Sequence, residues 1–263
     1  MKQVKAPVIS SMEVIPETWL IRLEAPEIAA AAKPGQFVML YCGEDTLLLR
    51  PISVHRVDGD RLALLVAEVG KGTRWLAERK KGETIDVFGP MGNGFTVHPD
   101  TKNLLLVAGG IGVAPLVFLA DAALADGRKV TMILGARSVD CLPPVSSPQK
   151  LFDGGVMGAS IHVINATEDG SEGFKGMATD LIPHYLEGTD QVIACGPEAM
   201  YRAMACIPEL KDRSVQLSLE IMMGCGMGVC YGCTIKTKSG LKQVCKDGPV
   251  FEMGEVEWGE LPV

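Results

Sequence analysis

The stretch KNLLLVAGGIGVAPLVFLADAALADG, from Lys102 to Gly127, decides the fold. It begins with an apolar run of strand length, passes through Gly109, Gly110 and Gly112, and ends in an alanine- and leucine-rich run of helix length. A strand, a glycine turn and a helix in this order are typical of a nucleotide-binding α/β unit. The glycines let backbone N–H groups approach a pyrophosphate at the N-terminus of the helix.

The glycine turn departs from the usual dinucleotide fingerprint. Counted from Gly110 it has the form G-x-G-x-x-P, with Pro115 where a third glycine or alanine is usual. Proline fits the first turn of a helix, because its missing N–H has no partner there. The pattern alone leaves a plain tight turn open as an alternative. The strand before it and the helix after it favour a dinucleotide site at Gly110, Gly112 and Pro115.

Further strands follow this unit. KVTMILGARS, SIHVINATE and DQVIACGP are apolar runs that end in loop residues, and a helical pattern follows the last of them. This alternation predicts a doubly wound parallel sheet over residues 99–217. Ligands bind beyond the carboxyl ends of strands in such sheets, so Cys195, Gly196 and Pro197 are predicted to face the same crevice. A simple strand-to-helix turn is the alternative for this triplet.

Residues 1–98 have a different pattern. Short apolar stretches, several with period-two alternation, are separated by turn residues, and this predicts a small antiparallel β-barrel or sandwich. LLLRPISV contains Arg50 and Ser53 on either side of a proline, and EVGKGTRWL places Gly72 and Thr73 before a helical turn. The second stretch is a candidate phosphate cradle. A surface arginine on an edge strand and an ordinary loop are the alternatives.

Clustered cysteines mark the last part of the chain, residues 218–263. The pattern is C-x4-C-x2-C-x11-C, formed by Cys225, Cys230, Cys233 and Cys245. The two spacings among the first three cysteines are those of plant-type [2Fe–2S] ferredoxins, in which a fourth cysteine lies further along the chain. The glycines between the cysteines let the chain wrap tightly around a cluster. Structural zinc is the alternative, although zinc sites usually pair two short knuckles.

Composition limits the classes of partner and location. The net charge of −7 argues against nucleic acid as a partner. The N-terminal residues have no apolar region of the kind a secretory signal needs, and the longest apolar run, residues 104–120, is interrupted by glycines and a proline. We therefore expect a cytoplasmic protein without a membrane segment. Its thiols are expected to be reduced, so the cysteine cluster indicates metal and not disulfides.

Taken in order, RPIS, VGKGT, AGGIGVAPL, ACGP and the cysteine cluster resemble the ferredoxin reductase superfamily, over nearly the whole chain. CGMGVCYGC together with VCKDGPVF is most similar to the electron transfer subunits of dihydroorotate dehydrogenase B. Ile52 stands where many superfamily reductases have an aromatic residue, and this favours the narrower family. The small subunit of electron-bifurcating NADH-dependent ferredoxin:NADP oxidoreductase has a similar layout, but its first cluster ligand is not a cysteine, whereas Cys225 is present here.

The resemblance implies FAD on the barrel, NAD(H) on the α/β domain and a [2Fe–2S] cluster on the last domain. By motif match, the flavin contacts are Arg50, Pro51, Ile52, Ser53 and the main chain of Leu65, Val66 and Ala67, and the pyrophosphate contacts are Gly72 and Thr73. Ser53 and Cys195 are hypothesised to tune hydride transfer, and no side chain is required as a general acid or base.

The resemblance also implies a partner. Electrons from the FMN of a separate catalytic subunit, which oxidises dihydroorotate to orotate in pyrimidine biosynthesis, pass through [2Fe–2S] and FAD to NAD⁺. Family members form a heterotetramer of two such chains and two catalytic subunits. An NAD(P)H reductase that serves ferredoxin or a hydrogenase, and a redox- or iron-sensing binding protein, are alternatives. The residues leave NAD and NADP open, since Arg137 suits a 2′-phosphate and no acid lies at that strand tip.

Overall fold

The computed structural model describes residues 1–143 and 161–260. The first six strands are β1 (Lys2–Ile15), β2 (Thr18–Glu24), β3 (Phe37–Leu40), β4 (Arg50–Asp58), β5 (Arg61–Ala67) and β6 (Thr84–Met91). They close into a barrel in the order β1-β2-β5-β4-β3-β6, and every pair is antiparallel. Two short helices, α1 (Pro26–Ala29) and α2 (Lys71–Ala77), accompany the strands. The predicted antiparallel barrel is confirmed.

Strand β1 is the part of the barrel that the sequence analysis did not assign. Its first half pairs with β6, and a register shift between Val8 and Ser10 accompanies the change of partner to β2. Ala6 and Val8 are buried, but the residues between and beside them are Lys5, Pro7 and serines, which weaken the alternating signal. One long bent strand therefore closes the barrel.

Strand β5 is apolar on both faces for a structural reason. Leu62, Leu64 and Val66 point into the barrel core. Leu65 points the other way and joins the core of the α/β domain, together with Leu20 of β2. The outer face of the barrel at β2 and β5 is therefore buried against the α/β domain.

Nine further strands follow in the described residues. They are β7 (Asn103–Gly109), β8 (Lys129–Ala136), β9 (Ile161–Thr167), β10 (Phe174–Lys175), β11 (Gln191–Cys195), β12 (Val215–Ser218), β13 (Thr234–Thr237), β14 (Gly240–Gln243) and β15 (Val250–Glu252). The helices are α3 (Val113–Ala125), α4 (Ala178–Leu181), α5 (Glu198–Ala205) and α6 (Val244–Asp247). None of the helices in these residues is long and apolar enough to cross a bilayer.

A seven-stranded sheet in the order β10-β9-β8-β7-β11-β12-β15 forms the second layer. Leu104 and Leu106 of β7 face α3, whereas Leu105 and Val107 face the core beneath α4 and α5. Helices therefore cover both faces, and the predicted doubly wound sheet is confirmed. The exception to its parallel pairing is the edge strand β15, which runs antiparallel to β12.

The C-terminal segment is bonded into the rest of the fold. Strands β13 and β14 form a hairpin, and β15 then completes the large sheet. Cys233 and Cys245 lie in the same hydrophobic core as Met39 and Met91 of the barrel. The boundaries between the three predicted domains stay predictions.

The barrel contacts α3 through polar groups near its start and past its middle. His55 of β4 is fully buried, and its Nδ1 lies 3.1 Å from the carbonyl oxygen of Ala114. A carbonyl only accepts, so Nδ1 bears the proton, and the buried Nε2 has no hydrogen-bond partner in the described residues. Next to it, Arg56 Nε forms an ion pair with Asp121 at 2.7 Å.

His55 is expected to make the stability of the chain pH-dependent. Burial first, and then the charges of Arg56 and Arg22, lower its pKa from 6.5 to about 4, although the hydrogen bond to Ala114 opposes them. Between these values the unfolded chain binds a proton that the folded chain does not, so stability is complete above pH 6.5 and falls as the pH approaches 4. The loss at this site is up to about 3 kcal/mol.

We expect His55→Gln to flatten the fall in stability between pH 6.5 and 4 in urea unfolding followed over pH. His184→Gln changes an exposed histidine and is the matched control, with the slope of the parent chain. An unchanged slope in His55→Gln would contradict this role.

Candidate functional site

The RPIS strand and the end of β5 separate from each other at one side of the barrel. The β4–β5 ladder runs from Val54 opposite Leu64 to Asp58 opposite Arg61. The predicted flavin residues lie beyond it, where Arg50–Ser53 pair with β3 and Leu65–Ala67 pair with β2. The structure thus places the two predicted main-chain segments on the two sides of one opening. The backbone groups that face this opening are not paired in the β4–β5 ladder.

Arg50 lies across the glycine of the second predicted motif. A Cβ on Gly72 would lie 2.7 Å from Arg50 Nε, so a larger residue there would displace the Arg50 side chain. Arg50 Nη1 also donates to the carbonyl oxygen of Leu48 at 2.6 Å. Thr73 Oγ1 accepts hydrogen bonds from the backbone N–H groups of Val69 and Gly70 and holds the start of α2 in place. Thr73 Oγ1 also donates to the Gly70 carbonyl at 3.1 Å, so its role is to shape the loop. A cation and a bare glycine backbone therefore meet at one point, which suits a phosphate.

A cavity of about 560 Å³ lies beyond the carboxyl ends of the sheet strands. The glycine turn lies on its wall, with Gly109, Gly110 and Ile111. Gly110 has φ +53°, and a Cβ there would meet no atom within 4 Å, so its backbone is open to the cavity. Pro197 from the predicted ACGP triplet lines the same cavity.

Other predicted residues support this cavity from behind. A Cβ on Gly112 would collide with the backbone of Cys195 and lie 2.7 Å from Gly196 N, so Gly112 allows the close approach of α3 to β11. Pro115 is buried in the first turn of α3. Of the ACGP triplet, Cys195 is only 2% exposed.

Tyr201 and Glu220 lie next to Cys195. From its place just before the cluster loop, Glu220 is a candidate for the same crevice, with a surface carboxylate as the alternative, whereas no sequence pattern indicated Tyr201. Tyr201 Oη accepts from Gly196 N at 2.8 Å and donates to the Ser218 carbonyl at 2.5 Å, so it ties the ends of β11 and β12 together. The Glu220 carboxylate is open to the cavity but enclosed by its walls, and this desolvation raises its pKa. Burial first, and then the Glu220 charge, raise the pKa of Cys195 far above the usual range and keep it a thiol.

The four clustered cysteines are arranged as two pairs. The backbone N–H of Cys230 donates to Cys225 Sγ, and the backbone N–H of Cys245 lies 3.4 Å from Cys233 Sγ, so Cys225 adjoins Cys230 and Cys233 adjoins Cys245. Two irons that each take two thiolates require this division, whereas one zinc ion draws all four sulfurs together. Among the described residues no three His, Cys, Asp or Glu side chains lie close enough to hold one ion. The donor set fits a two-iron cluster.

Backbone N–H groups of the loop point at sulfur. Gly228 N lies 3.1 Å from Cys245 Sγ, and Met227 N lies 3.4 Å from Cys225 Sγ. Desolvation raises the pKa of Cys225, but hydrogen bonds from Met227, Cys230 and Val229 N–H groups outweigh it and lower the pKa to about 6. Such N–H groups stabilise thiolates and the negatively charged cluster that thiolates hold.

The cluster loop packs directly on the barrel. Gly226 has φ +73°, and a Cβ there would lie 2.6 Å from Met39 Cγ of β3. Met39 is the ladder partner of Pro51 in the RPIS strand. Asn93, just after β6, donates from its backbone to the Gly248 carbonyl at 2.6 Å and so fixes the segment that follows Cys245. One strand therefore separates the cluster loop from the flavin strand.

Comparisons with known proteins bear on this arrangement. The chain is 38% identical over 263 residues to the dihydroorotate dehydrogenase B (NAD(+)), electron transfer subunit of Desulforamulus reducens, with 96% of this chain and 97% of that protein covered. The subunit of the same name from Bacillus cereus strain Q1 is also 38% identical, with 95% and 96% covered. The chain belongs to the family of dihydroorotate dehydrogenase B electron transfer subunits.

Family models agree with this membership. Residues 220–257 match the iron–sulfur cluster binding domain of dihydroorotate dehydrogenase B, and this range holds all four clustered cysteines. Residues 106–205 match an oxidoreductase NAD-binding domain, which begins in β7 and includes the glycine turn. The iron–sulfur and NAD assignments from the sequence are confirmed at the level of domains.

Solved structures show the same fold. A chain from the structure of an NADH-dependent reduced ferredoxin-NADP oxidoreductase, described for flavin-based electron bifurcation, has a TM-score of 0.84 at 29% identity, with 97% of this chain and 91% of that chain covered. A ferredoxin NADP⁺ reductase from Neisseria gonorrhoeae with bound FAD and NADP has a TM-score of 0.61 at 19% identity, with 78% and 89% covered. The ferredoxin reductase-like fold of this dihydroorotate dehydrogenase B family member is therefore established.

Proposed function

We propose that this chain is the electron transfer subunit of a dihydroorotate dehydrogenase B and passes electrons from a separate catalytic subunit to NAD⁺. The observation that carries the proposal is the packing of Gly226, in the cysteine loop, on Met39, whose strand neighbour is Pro51. A single strand, β3, therefore lies between the cluster loop and the flavin strand. Electron transfer between cofactors needs such a short, rigid separation.

FAD binds at the opening between β4 and β5. When bound, it connects single electrons, which an iron–sulfur cluster carries, with hydride, which NAD(H) carries. Arg50 neutralises the flavin phosphates, and Gly72 and Thr73 present backbone groups to them. Pro51, Ile52 and Ser53 contact the flavin on one side, and the main chain of Leu65, Val66 and Ala67 contacts it on the other.

NAD(H) occupies the cavity at the sheet edge. Gly110 presents its backbone to the pyrophosphate, and Gly112 and Pro115 shape the turn. Pro197 and Glu220 line the end of the cavity near β12. Cys195 and Gly196 lie behind Pro197, so they shape the nicotinamide site through the backbone, with Tyr201 as their anchor. If Cys195→Ala and Ser53→Ala leave the rate of flavin reduction by NADH unchanged, both residues have only a structural role.

The catalytic partner docks on the face of the cluster loop. Met222, Val229 and Tyr231 are 86%, 67% and 68% exposed there, next to the partly exposed Cys225. Large apolar side chains grouped around a redox centre suit a partner that supplies electrons. We further propose a heterotetramer of two such chains and two FMN-containing catalytic subunits, in the cytoplasm.

The test is co-expression with the candidate catalytic subunit, followed by anaerobic purification. One FAD, two irons and two sulfides per chain, and dihydroorotate-dependent NAD⁺ reduction in the complex alone, are the expected results. Zinc in place of iron, or no flavin, would refute the proposal. If the chain holds both cofactors but the complex shows no coupled activity, the electron path through the chain still stands, and its partner is a different protein.

A second candidate is an NAD(P)H-dependent reductase subunit for ferredoxin or another redox partner. The similarity to the chain from the bifurcating oxidoreductase structure, over 97% of this chain, favours it. Pull-down of the native protein from its own cells distinguishes the two, because this candidate requires a partner other than a dihydroorotate-oxidising one.

Arg50→Lys tests the flavin site. We expect FAD retention to fall about 10-fold, because lysine loses the planar two-pronged contact with phosphate that arginine makes. The measure is flavin content and the dissociation constant of FAD for the deflavinated chain. Arg61→Lys, at the exposed start of β5, is the matched control and retains FAD. Equal affinities in the two variants would place the phosphates elsewhere.

A further inference from the structure

The charged groups of the nucleotide cavity divide between its two ends. Glu220 follows β12 at one end, and Arg137 and Glu168 follow β8 and β9 at the other. In the sheet order β9-β8-β7-β11-β12, these ends are roughly 19 Å apart at strand spacing. The glycine turn after β7 lies midway between them. A dinucleotide whose pyrophosphate lies on that turn therefore extends one nucleoside toward each end.

The end near β12 is the flavin side. Leu219, directly after β12, lies in one hydrophobic core with Met39 and Leu49, and Met39 pairs with Pro51 of the flavin strand. The nicotinamide must reach the flavin, so it lies on this side. The adenosine ribose then lies at the other end, beside Arg137 and Glu168.

Glu168 is held in place by the loops around it. Its backbone N–H donates to the Ala136 carbonyl at 3.1 Å, and Thr167 and Glu172 exchange hydrogen bonds through the Thr167 hydroxyl. Ser171 Oγ accepts from Val139 N at 2.8 Å and so joins the β9 loop to the β8 loop. Glu168 is thereby held on the wall of the cavity that Arg137 also lines. Neither Arg137 nor Glu168 is in an ion pair within the described residues.

We infer that Glu168 selects the nucleotide: its carboxylate accepts the ribose hydroxyl groups of NAD(H) and rejects the 2′-phosphate of NADP(H). Many dinucleotide folds place such an acid at the tip of the second strand, which here ends in Ala136 and Arg137. In this chain the acid is Glu168, which follows the neighbouring strand β9. A carboxylate hydrogen-bonds a hydroxyl and repels a phosphate that is doubly charged near neutral pH. Without the Glu168 carboxylate, the positive charge of Arg137 favours binding of the 2′-phosphate.

This inference rests on the proposed function, and binding separates the two. The probes are ADP-ribose and 2′-phospho-ADP-ribose, titrated calorimetrically into the purified full chain with its cofactors. The parent chain is expected to prefer ADP-ribose. In Glu168→Gln the ratio of the two dissociation constants is expected to move toward the phosphorylated probe by on the order of 100-fold, the scale of one charge contact near a protein surface. KM values for NAD⁺ and NADP⁺ should move in parallel, with kcat for NAD⁺ much less affected.

Two further variants test whether the change in nucleotide preference is specific to Glu168. Glu172→Gln removes a carboxylate from the same loop that does not line the cavity, and its ratio should equal that of the parent. Arg137→Ala should weaken the phosphorylated probe more than ADP-ribose. An unchanged ratio in Glu168→Gln, with both probes still bound, would overturn the role of Glu168 and leave the proposed function standing. Failure of the parent chain to bind either probe would overturn both.

Discussion

Cys225→Ala is expected to abolish dihydroorotate-coupled NAD⁺ reduction. The variant removes one of the two thiolates of the Cys225–Cys230 pair, so an iron loses a protein ligand. The loss should exceed the roughly 10- to 100-fold that changes in the outer shell of a metal site produce. NADH-dependent reduction of an artificial dye should persist, because the nucleotide cavity and Arg50 are untouched. Iron and sulfide analysis and the two activities are measured on the same preparation.

Cys206→Ser is the matched control for this loss. Cys206 is an exposed free cysteine at the end of α5 and lies outside the cluster segment. Its iron, sulfide and both activities should equal those of the parent chain. Full coupled activity in Cys225→Ala would remove the cysteine cluster from the electron path.

Gly112→Ala is expected to damage the fold and the nucleotide site together. Its φ is −58°, so alanine is allowed by the backbone, and the cost comes from collision with the backbone of Cys195 and Gly196. A backbone neighbour relieves such a collision only if α3 moves away from β11. Overpacking of this kind costs about 1–3 kcal/mol. The shift of α3 also displaces the glycine turn, so NADH binding should weaken.

Thermal unfolding and NADH titration of the full chain measure these effects. Gly254→Ala is the control, because a Cβ there would meet no atom within 4 Å. A melting temperature and an NADH affinity equal to those of the parent would show that α3 and β11 adapt without cost, contrary to the geometry.

The architecture was largely readable from the sequence because its elements repeat with clear periods. The apolar run from Leu104 to Ala108 and the alternation in β5 predicted a two-faced sheet strand and a barrel strand, and both are observed. Strand β1 and the short strands β10, β12, β13, β14 and β15 were not predicted. Strand β1 is interrupted by polar residues at its register shift, and β15 has three residues, so its pairing with β12 is decided by distant contacts.

The sequence predicted those site residues that lie in one short motif. It did not predict residues that reach the site only through the arrangement of distant strands. The four cysteines and the RPIS and VGKGT motifs carry their own spacing. Glu220 and Glu168 reach the cavity because β12 and β9 end at the same edge of the sheet, which no local pattern reveals. Cys195, Gly196 and Pro197 were all expected to face the crevice; Pro197 lines it, whereas Cys195 is buried behind it. Their ligand contacts stay predictions.

The position of β15 has a consequence for synthesis on the ribosome. The strand that completes the edge of the large sheet follows Cys245 in the chain, so every cluster ligand is translated before that edge is closed. Until then β12 exposes unpaired backbone groups, a template for pairing with other nascent chains. The cluster ligands are therefore all synthesised in the interval during which this sheet edge is still open.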